Sequence, residues 1–335
     1  MEFGITFKGD IGPERTLNLI KQAEAAGFDY VWFFDSHVLW QDCYAYMAAA
    51  SQHTKHVRFG PFVTNPAIRD WSVTASMHAT LAILSGGRID MGVGRGDSSQ
   101  RMLGRKPVTY AEMGEFVETV RKLTRGQEAP VEGYPTTLTW SHYEMPIWIA
   151  AYGPLALKTA GQHGDGLIIQ LADPFLCNWF ITQFRDAATE AGRDASKLRV
   201  CAAAPVFVSD DMAKCRAQTR WFPAMVGNHV ADLVEKYHTG GGIPQALTDY
   251  IAGRKGYDYR HHADKDADHL DFITNDVIDS FGVLGPIEKH IKKIRELEST
   301  GVTQFNIYLM CGEEEYIVEQ YSKHVLPAFQ KSAVR

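Results

Sequence analysis

One pattern governs this chain. A short apolar run rich in β-branched and aromatic residues is followed by a longer stretch with apolar residues at helical spacing, and the pair recurs about eight times. The first strand is read at Phe3–Phe7, followed by a helix from Pro13 to Ala26. Pro13 and Glu14 suit a helix start, Gly27 suits its end, and Leu17, Ile20, Ala23 and Ala26 share one face. Tyr30–Phe34 is apolar throughout, as expected of a strand covered on both faces of a parallel sheet. Further strands are read at Val57–Val63, Ile89–Val93, Ile147–Ala150, Gly166–Gln170, Leu198–Val208 and Phe305–Met310. The helices are Tyr44–Gln52, Ser72–Leu84, Ala111–Leu123, Leu155–Gln162, Phe175–Ala191 and Glu313–Phe329, with a turn-rich segment at Glu128–Met145. Regular alternation implies an α/β fold with a parallel sheet, and eight repeats favour closure into a (β/α)8 TIM barrel over an open, doubly wound sheet. Residues 1–335 are expected to form one domain.

The rhythm breaks once. Between the seventh strand and a helix near Pro286 lie roughly 75 residues, well beyond ordinary connections. Helical pieces are expected at Asp211–Trp221, Val230–Tyr237 and Pro244–Ala252, with a polar stretch at Gly256–Asp271. Residues 209–280 are read as an insertion on the loop side of the barrel, placed to act as a lid.

Composition removes several alternatives. The net charge of −6 offers no basic footprint for nucleic acid. No apolar run approaches a membrane span, and the N-terminus lacks the pattern of a signal peptide. Cys43, Cys177, Cys201, Cys215 and Cys311 are scattered and odd in number, which fits free thiols in a reducing, cytoplasmic setting.

In a barrel, chemistry collects just past the C-terminal ends of the strands. Lys8, Asp35-Ser36-His37, Thr64-Asn65, Arg95-Gly96-Asp97, Tyr152-Gly153 and Gln170 fall there, although solvated strand ends would look the same. Gly92, Gly94 and Gly96 have the outline of a dinucleotide fingerprint, but the third spacing is wrong and Asp97-Ser98-Ser99 reads as polar loop, not helix. These glycines suit close approach of a planar ligand, with Arg95 available to an anion. Ala151-Tyr152-Gly153-Pro154 leads from a strand directly into a helix, offering either a phosphate site at its free N–H groups or merely a tight turn. His261, His262, Asp264, Asp266, Asp268 and His269 match no zinc spacing and read as a solvated loop. Lys8 raises a Schiff-base option, but its Gly9-Asp10 turn looks exposed.

Taken together, Gly27–Asp35, Phe62–Pro66, Ser85–Gly96, Ile149–Gly153 and Ala160–Gly166 resemble the bacterial luciferase-like oxidoreductases, in the branch near methylenetetrahydromethanopterin reductase. The resemblance spans nearly the whole chain in order. It implies a flavin or deazaflavin at the C-terminal strand ends. Phe62-Val63 matches a pair that is joined by a non-prolyl cis peptide behind the central ring in relatives. Thr64 and Asn65 would reach the pyrimidine edge or ribityl chain; Gly94, Arg95, Gly96 and Asp97 would line the cofactor; Ala151, Tyr152 and Gly153 would meet its phosphate. Asp35 and Trp40 match positions flanking the reacting face. Relatives often carry a catalytic histidine directly after the acidic residue, whereas this chain has Ser36 there and His37 next.

The expected function is a two-component monooxygenase that uses reduced FMN and oxygen on a small organic substrate, with a separate flavin reductase as partner. Lys8, Trp40, Gln170, Trp221 and Phe222 would form its substrate pocket, with Asp35, Ser36 and His37 as the catalytic candidates. Hydride transfer with the deazaflavin coenzyme F420, without oxygen, is the alternative; a catalytically silent flavin-binding barrel is a third. The resemblance further implies a homodimer.

Overall fold

The computed structural model describes residues 1–223, 225, 226 and 274–330. Strands β1 (Glu2–Phe7), β2 (Tyr30–Phe33), β3 (Arg58–Pro61) and β4 (Met91–Val93) alternate with helices α1 (Pro13–Ala26), α2 (Cys43–Ser51) and α3 (Trp71–Ser85). Past β4 come a short helix α4 (Asp97–Met102), a long helix α5 (Tyr110–Thr124) and a hairpin of β5 (Ala129–Val131) and β6 (Tyr134–Thr136). The barrel resumes with β7 (Ile147–Ala150), α6 (Pro154–His163), β8 (Gly166–Ile169), α7 (Pro174–Glu190) and β9 (Arg199–Val208). Helix α8 (Met212–Thr219), strand β10 (Val283–Gly285) and strand β11 (Gln304–Tyr308) complete the order needed for the site.

Eight strands pair in parallel in the order β3-β2-β1-β11-β9-β8-β7-β4. Parallel bridges between Phe59 and Ile89 and between Thr64 and Val93 bring β3 back to β4 and close the ring. The TIM barrel expected from the repeat count is therefore present. Among the described residues no helix is long and apolar enough to cross a membrane.

The local signals mostly hold. Gly27 ends α1 in a left-handed conformation (φ 93°), and Asp42 and Asp70 cap α2 and α3 by accepting hydrogen bonds from backbone N–H groups. Large side chains from alternate positions fill the lumen where a neighbouring strand carries glycine. A Cβ on Gly166 would lie 2.2 Å from Trp148 Cε3, so only glycine lets that indole pack there.

Three local expectations need correction. Residues 97–99 open a helix, α4, because Gly96 adopts φ 86° as its N-cap and an Asp97–Arg101 pair spans one turn. The expected closing helix is broken into Glu314–Gln320, a π turn at Tyr321–Val325 and Leu326–Phe329; Pro327, which has no backbone N–H to give, lies just past that turn. The turn-rich stretch after α5 holds the β5–β6 hairpin, with positive φ at Glu132 and Gly133 as a tight two-residue connection requires.

Of the insertion at 209–280, α8 and a helix at Asn275–Phe281 are seen, and β10 follows it as an added partner for the end of β9. The pieces expected at 230–237, 244–252 and 256–271, with the histidine and aspartate cluster, lie outside the described residues.

Candidate active site

The C-terminal strand ends surround a cleft of about 1130 Å³, open solvent at its mouth included. Most of the expected residues meet there: Asp35, Ser36, Trp40, Phe62, Val63, Asn65, Gly94, Arg95, Gly96, Asp97, Ala151, Tyr152, Gly153 and Gln170. This convergence follows from parallel strands ending at one rim.

One wall is backbone. The Phe62–Val63 peptide is cis, as the resemblance implied, and both residues line the cleft. Val63 packs so closely that a Cβ on Gly94 would lie 2.8 Å from Val63 Cγ2. Gly96 lies equally near Asn65: a Cβ there would sit 2.6 Å from Asn65 Cγ. Asn65 in turn donates from Nδ2 to Ser99 Oγ at 2.9 Å, tying α4 to the end of β3.

The far side is polar. Tyr152 donates its hydroxyl proton to Gln170 Oε1 at 2.6 Å, and Gln170 Nε2 donates to the Tyr308 hydroxyl at 2.6 Å. Burial pushes the Tyr152 and Tyr308 phenols up, so both remain protonated. Helix α6 begins immediately beyond, at Gly153, without a side-chain cap and with Pro154 in its first turn. Its first backbone N–H groups are thus free to meet an anion, and Leu155 and Ala156 line the cleft at that end. Arg95 also faces the cleft, held by a bond from Nε to Val108 O at 2.7 Å and stacked 4.5 Å over the Tyr110 ring.

At the β2 rim, Asp35 is buried and paired. Arg69 donates from Nη1 to Asp35 Oδ2 at 2.6 Å and from Nη2 to Oδ1 at 3.0 Å. Burial works against the Arg69 charge, but the hydrogen bond and field of Asp35 outweigh it and hold the guanidinium charged. Ser36, next along, touches Ser98 Oγ at 3.0 Å.

Some expected residues fall elsewhere. His37 is exposed and does not line the cleft: the chain leaves β2 at Phe33 and folds over His37 into a turn in which Leu39 N and Trp40 N both donate to Ser36 O. Thr64 is buried behind the wall. Lys8 pairs with Asp10 at 2.9 Å outside the cleft. Trp221 and Phe222 are core residues packed on Tyr308, with ring centroids at 6.2 and 5.4 Å, so the insertion contributes Met225 to the cleft in their place. Residues that the sequence did not single out are Arg69, Ser98, Ser99, Tyr110, Leu155 and Ala156. The missed serines follow the Arg95-Gly96-Asp97 motif, which was itself the available signal.

The residues fit a planar ring with a phosphorylated side chain. A flat backbone wall, glycines that no Cβ could replace, an uncapped helix start and a fixed guanidinium are the donor set such a group needs. Comparison with known proteins bears on the family. The family model described as luciferase-like monooxygenase matches residues 1–304. The 5,10-methylenetetrahydromethanopterin reductase of Methanopyrus kandleri is 28% identical over 359 residues, covering 99% of both chains. The F420-dependent hydroxymycolic acid dehydrogenase of Mycobacterium tuberculosis is 31% identical over 227 residues, covering 62% of this chain and 63% of that one. Among solved structures, the coenzyme F420 dependent tetrahydromethanopterin reductase from Methanopyrus kandleri superposes with a TM-score of 0.79 at 26% identity, covering 98% of this chain and 99% of that one.

Proposed function

We propose that this chain, which belongs to the luciferase-like monooxygenase family, is an oxidoreductase that transfers hydride between a small substrate and a deazaflavin of the coenzyme F420 type. What carries the reading is the full-length likeness to a reductase, joined to a solved structure whose name states F420 dependence. The reduced-FMN monooxygenase expected first from the sequence has the family description in its support. The deazaflavin alternative has support from relatives matched along the chain.

In this reading the Phe62–Val63 wall backs the ring, and Gly94 and Gly96 let the chain approach it closely. The start of α6 and Arg95 hold the phosphate. The Tyr152–Gln170–Tyr308 chain of hydrogen bonds keeps the floor of the cleft fixed. A bound reduced deazaflavin supplies a hydride without activating oxygen. Equilibrium titration of the purified protein with F420 and with FMN tests the proposal by fluorescence. Binding of F420 at least about 100-fold tighter than FMN is expected, a difference of about 2.7 kcal/mol. Preference for FMN, followed by oxygen uptake when the flavin is reduced, would return the reading to a monooxygenase.

A further inference from the structure

The position after Asp35 carries a hydroxyl, and three observations give it work. Ser36 is buried at the cleft wall, while Ser98, 3.0 Å away, is half-buried and also lines the cleft. Asp35 is already engaged by both Arg69 donors. The adjacent imidazole, His37, is exposed outside the cleft. Of the other titratable groups lining the cleft, Asp97 pairs with Arg101, Arg95 and Tyr110 hold one another, and Tyr152 donates to Gln170. What the described wall presents beside Asp35 is therefore a pair of hydroxyls.

Two hydrogen-bonded hydroxyls act as one unit. One proton lies between the oxygens, and either oxygen can be its donor. The second proton and the remaining lone pairs are left for a ligand. Such a unit can donate to a carbonyl oxygen and accept from a carbinol hydroxyl without changing charge. Hydride transfer between an alcohol and a carbonyl needs a contact that serves both partners.

We propose that the Ser36–Ser98 pair holds the oxygen on the substrate's reacting carbon and passes protons between that oxygen and water at the cleft mouth, with Arg69 as the positioning residue that keeps Asp35 from competing. This rests on the hydride-transfer reading above. In the reducing direction the substrate carbon gains the hydride pair, and the C=O π pair moves onto oxygen. That oxygen takes a proton from Ser36, Ser36 recovers one from Ser98, and Ser98 from water. The proton released as the deazaflavin is oxidised returns to solvent, so a carbonyl and a reduced coenzyme give an alcohol and an oxidised coenzyme.

Acetone reduction by the enzyme supplied with reduced F420 is the test, followed across about pH 6 to 9, with coenzyme affinity measured on the same samples. The native protein is expected to show a flat profile. Ser36→Ala should lose roughly 100-fold in kcat, the usual scale of a lost proton-transfer group, and Ser98→Ala less. Both should keep coenzyme affinity within about twofold, a criterion set against the tenfold that each 1.4 kcal/mol of binding energy represents. Ser36→His should restore turnover with a limb near pH ~6.5, the ordinary imidazole value. A titrating limb in the native profile, or unchanged turnover in both alanine variants, overturns the proposal. Tight coenzyme binding without reduction of acetone, or of larger ketones and aldehydes run beside it, overturns it too, while leaving hydride transfer to a substrate without that oxygen standing. Failure to bind F420 at all removes the underlying reading.

Discussion

The two ends of the barrel each bury an arginine–aspartate pair, and the pairs live differently. At the N-terminal end, Asp90 accepts from Arg58 Nε at 2.8 Å, from Trp148 Nε1 at 2.8 Å and from the Tyr30 hydroxyl at 3.4 Å. Tyr30 in turn accepts from Arg199 Nη1 at 2.8 Å, and Arg58 also reaches Gly87 and Ile89 carbonyls at 3.2 Å. At the C-terminal end, Arg69 grips Asp35 and lies 4.5 Å over the Tyr44 ring. Beside it, His78 Nε2 is buried without a hydrogen-bond partner among the described residues. The lower carboxylate is wholly enclosed and ringed by donors from three side chains, whereas the upper one is held by Arg69 and borders the cleft.

Breaking each pair separates the two roles. Arg58→Met leaves Asp90 wholly enclosed without its counter-charge, so unfolding in denaturant should show a loss of about 3–5 kcal/mol. Coenzyme affinity, measured where the variant is folded, should stay unchanged. Arg69→Met should cost less, about 1.5–3 kcal/mol, because Asp35 borders a cleft that water enters. It should weaken coenzyme binding as the β2 rim loosens. Equal losses of stability, with coenzyme binding untouched in both, would erase the distinction.

That distinction was only half legible in the sequence. Periodicity and strand ends located the barrel and most of the cleft, since residues just past parallel strands must share a rim. Side-chain direction and long-range pairing did not follow. Arg69 lies 34 residues from Asp35 in a loop with no periodic signal. Helix α4 is six residues long, too short for a helical repeat to register, so Ser98 and Ser99 read as loop in the sequence. Lys8, Trp221 and Phe222 stand near the correct end, yet an ion pair takes Lys8 and the core takes the two rings. Tyr308 was readable in principle: Gln304, Asn306 and Tyr308 alternate along β11, marking one face.

Acid should strain the cleft end and relieve the other. His78, beside the Arg69–Asp35 pair, is fully buried, and that burial pushes its pKa down to about 4. Its folded value lies below the unfolded ~6.5, so its contribution is complete above about pH 6.5 and is lost as pH falls toward 4, about 3 kcal/mol in all. Burial raises Asp90, which gives the opposite sign: its charge costs most at higher pH and that cost fades as the group protonates. Burial likewise pushes His290 down to about 4, a second source of acid sensitivity outside the barrel lumen. Unfolding free energies measured from about pH 7 to 4 should therefore fall, and His78→Leu should remove about half of the histidine-dependent slope. A slope unchanged in that variant would mean that the cleft end carries no acid sensitivity of its own.

The smallest effect gives the sharpest contrast, because it adds one methyl group at each end. In Gly166→Ala the Cβ meets the Trp148 ring at 2.2 Å, and overpacking of this kind costs about 1–3 kcal/mol. The indole sits in the closed lower network, so coenzyme affinity should not change. In Gly96→Ala the strain is double: φ is 86°, which disfavours any Cβ by about 1–2 kcal/mol, and the methyl meets Asn65. Asn65 holds Ser99, so relief must come from moving α4, and with it Ser98 and the cleft wall. Stability should drop by a similar amount in the two variants, measured by denaturant, while F420 affinity falls only in Gly96→Ala. If Gly166→Ala weakened coenzyme binding as much, strain would be travelling the length of the barrel, and its two ends would have to be treated as one mechanical unit.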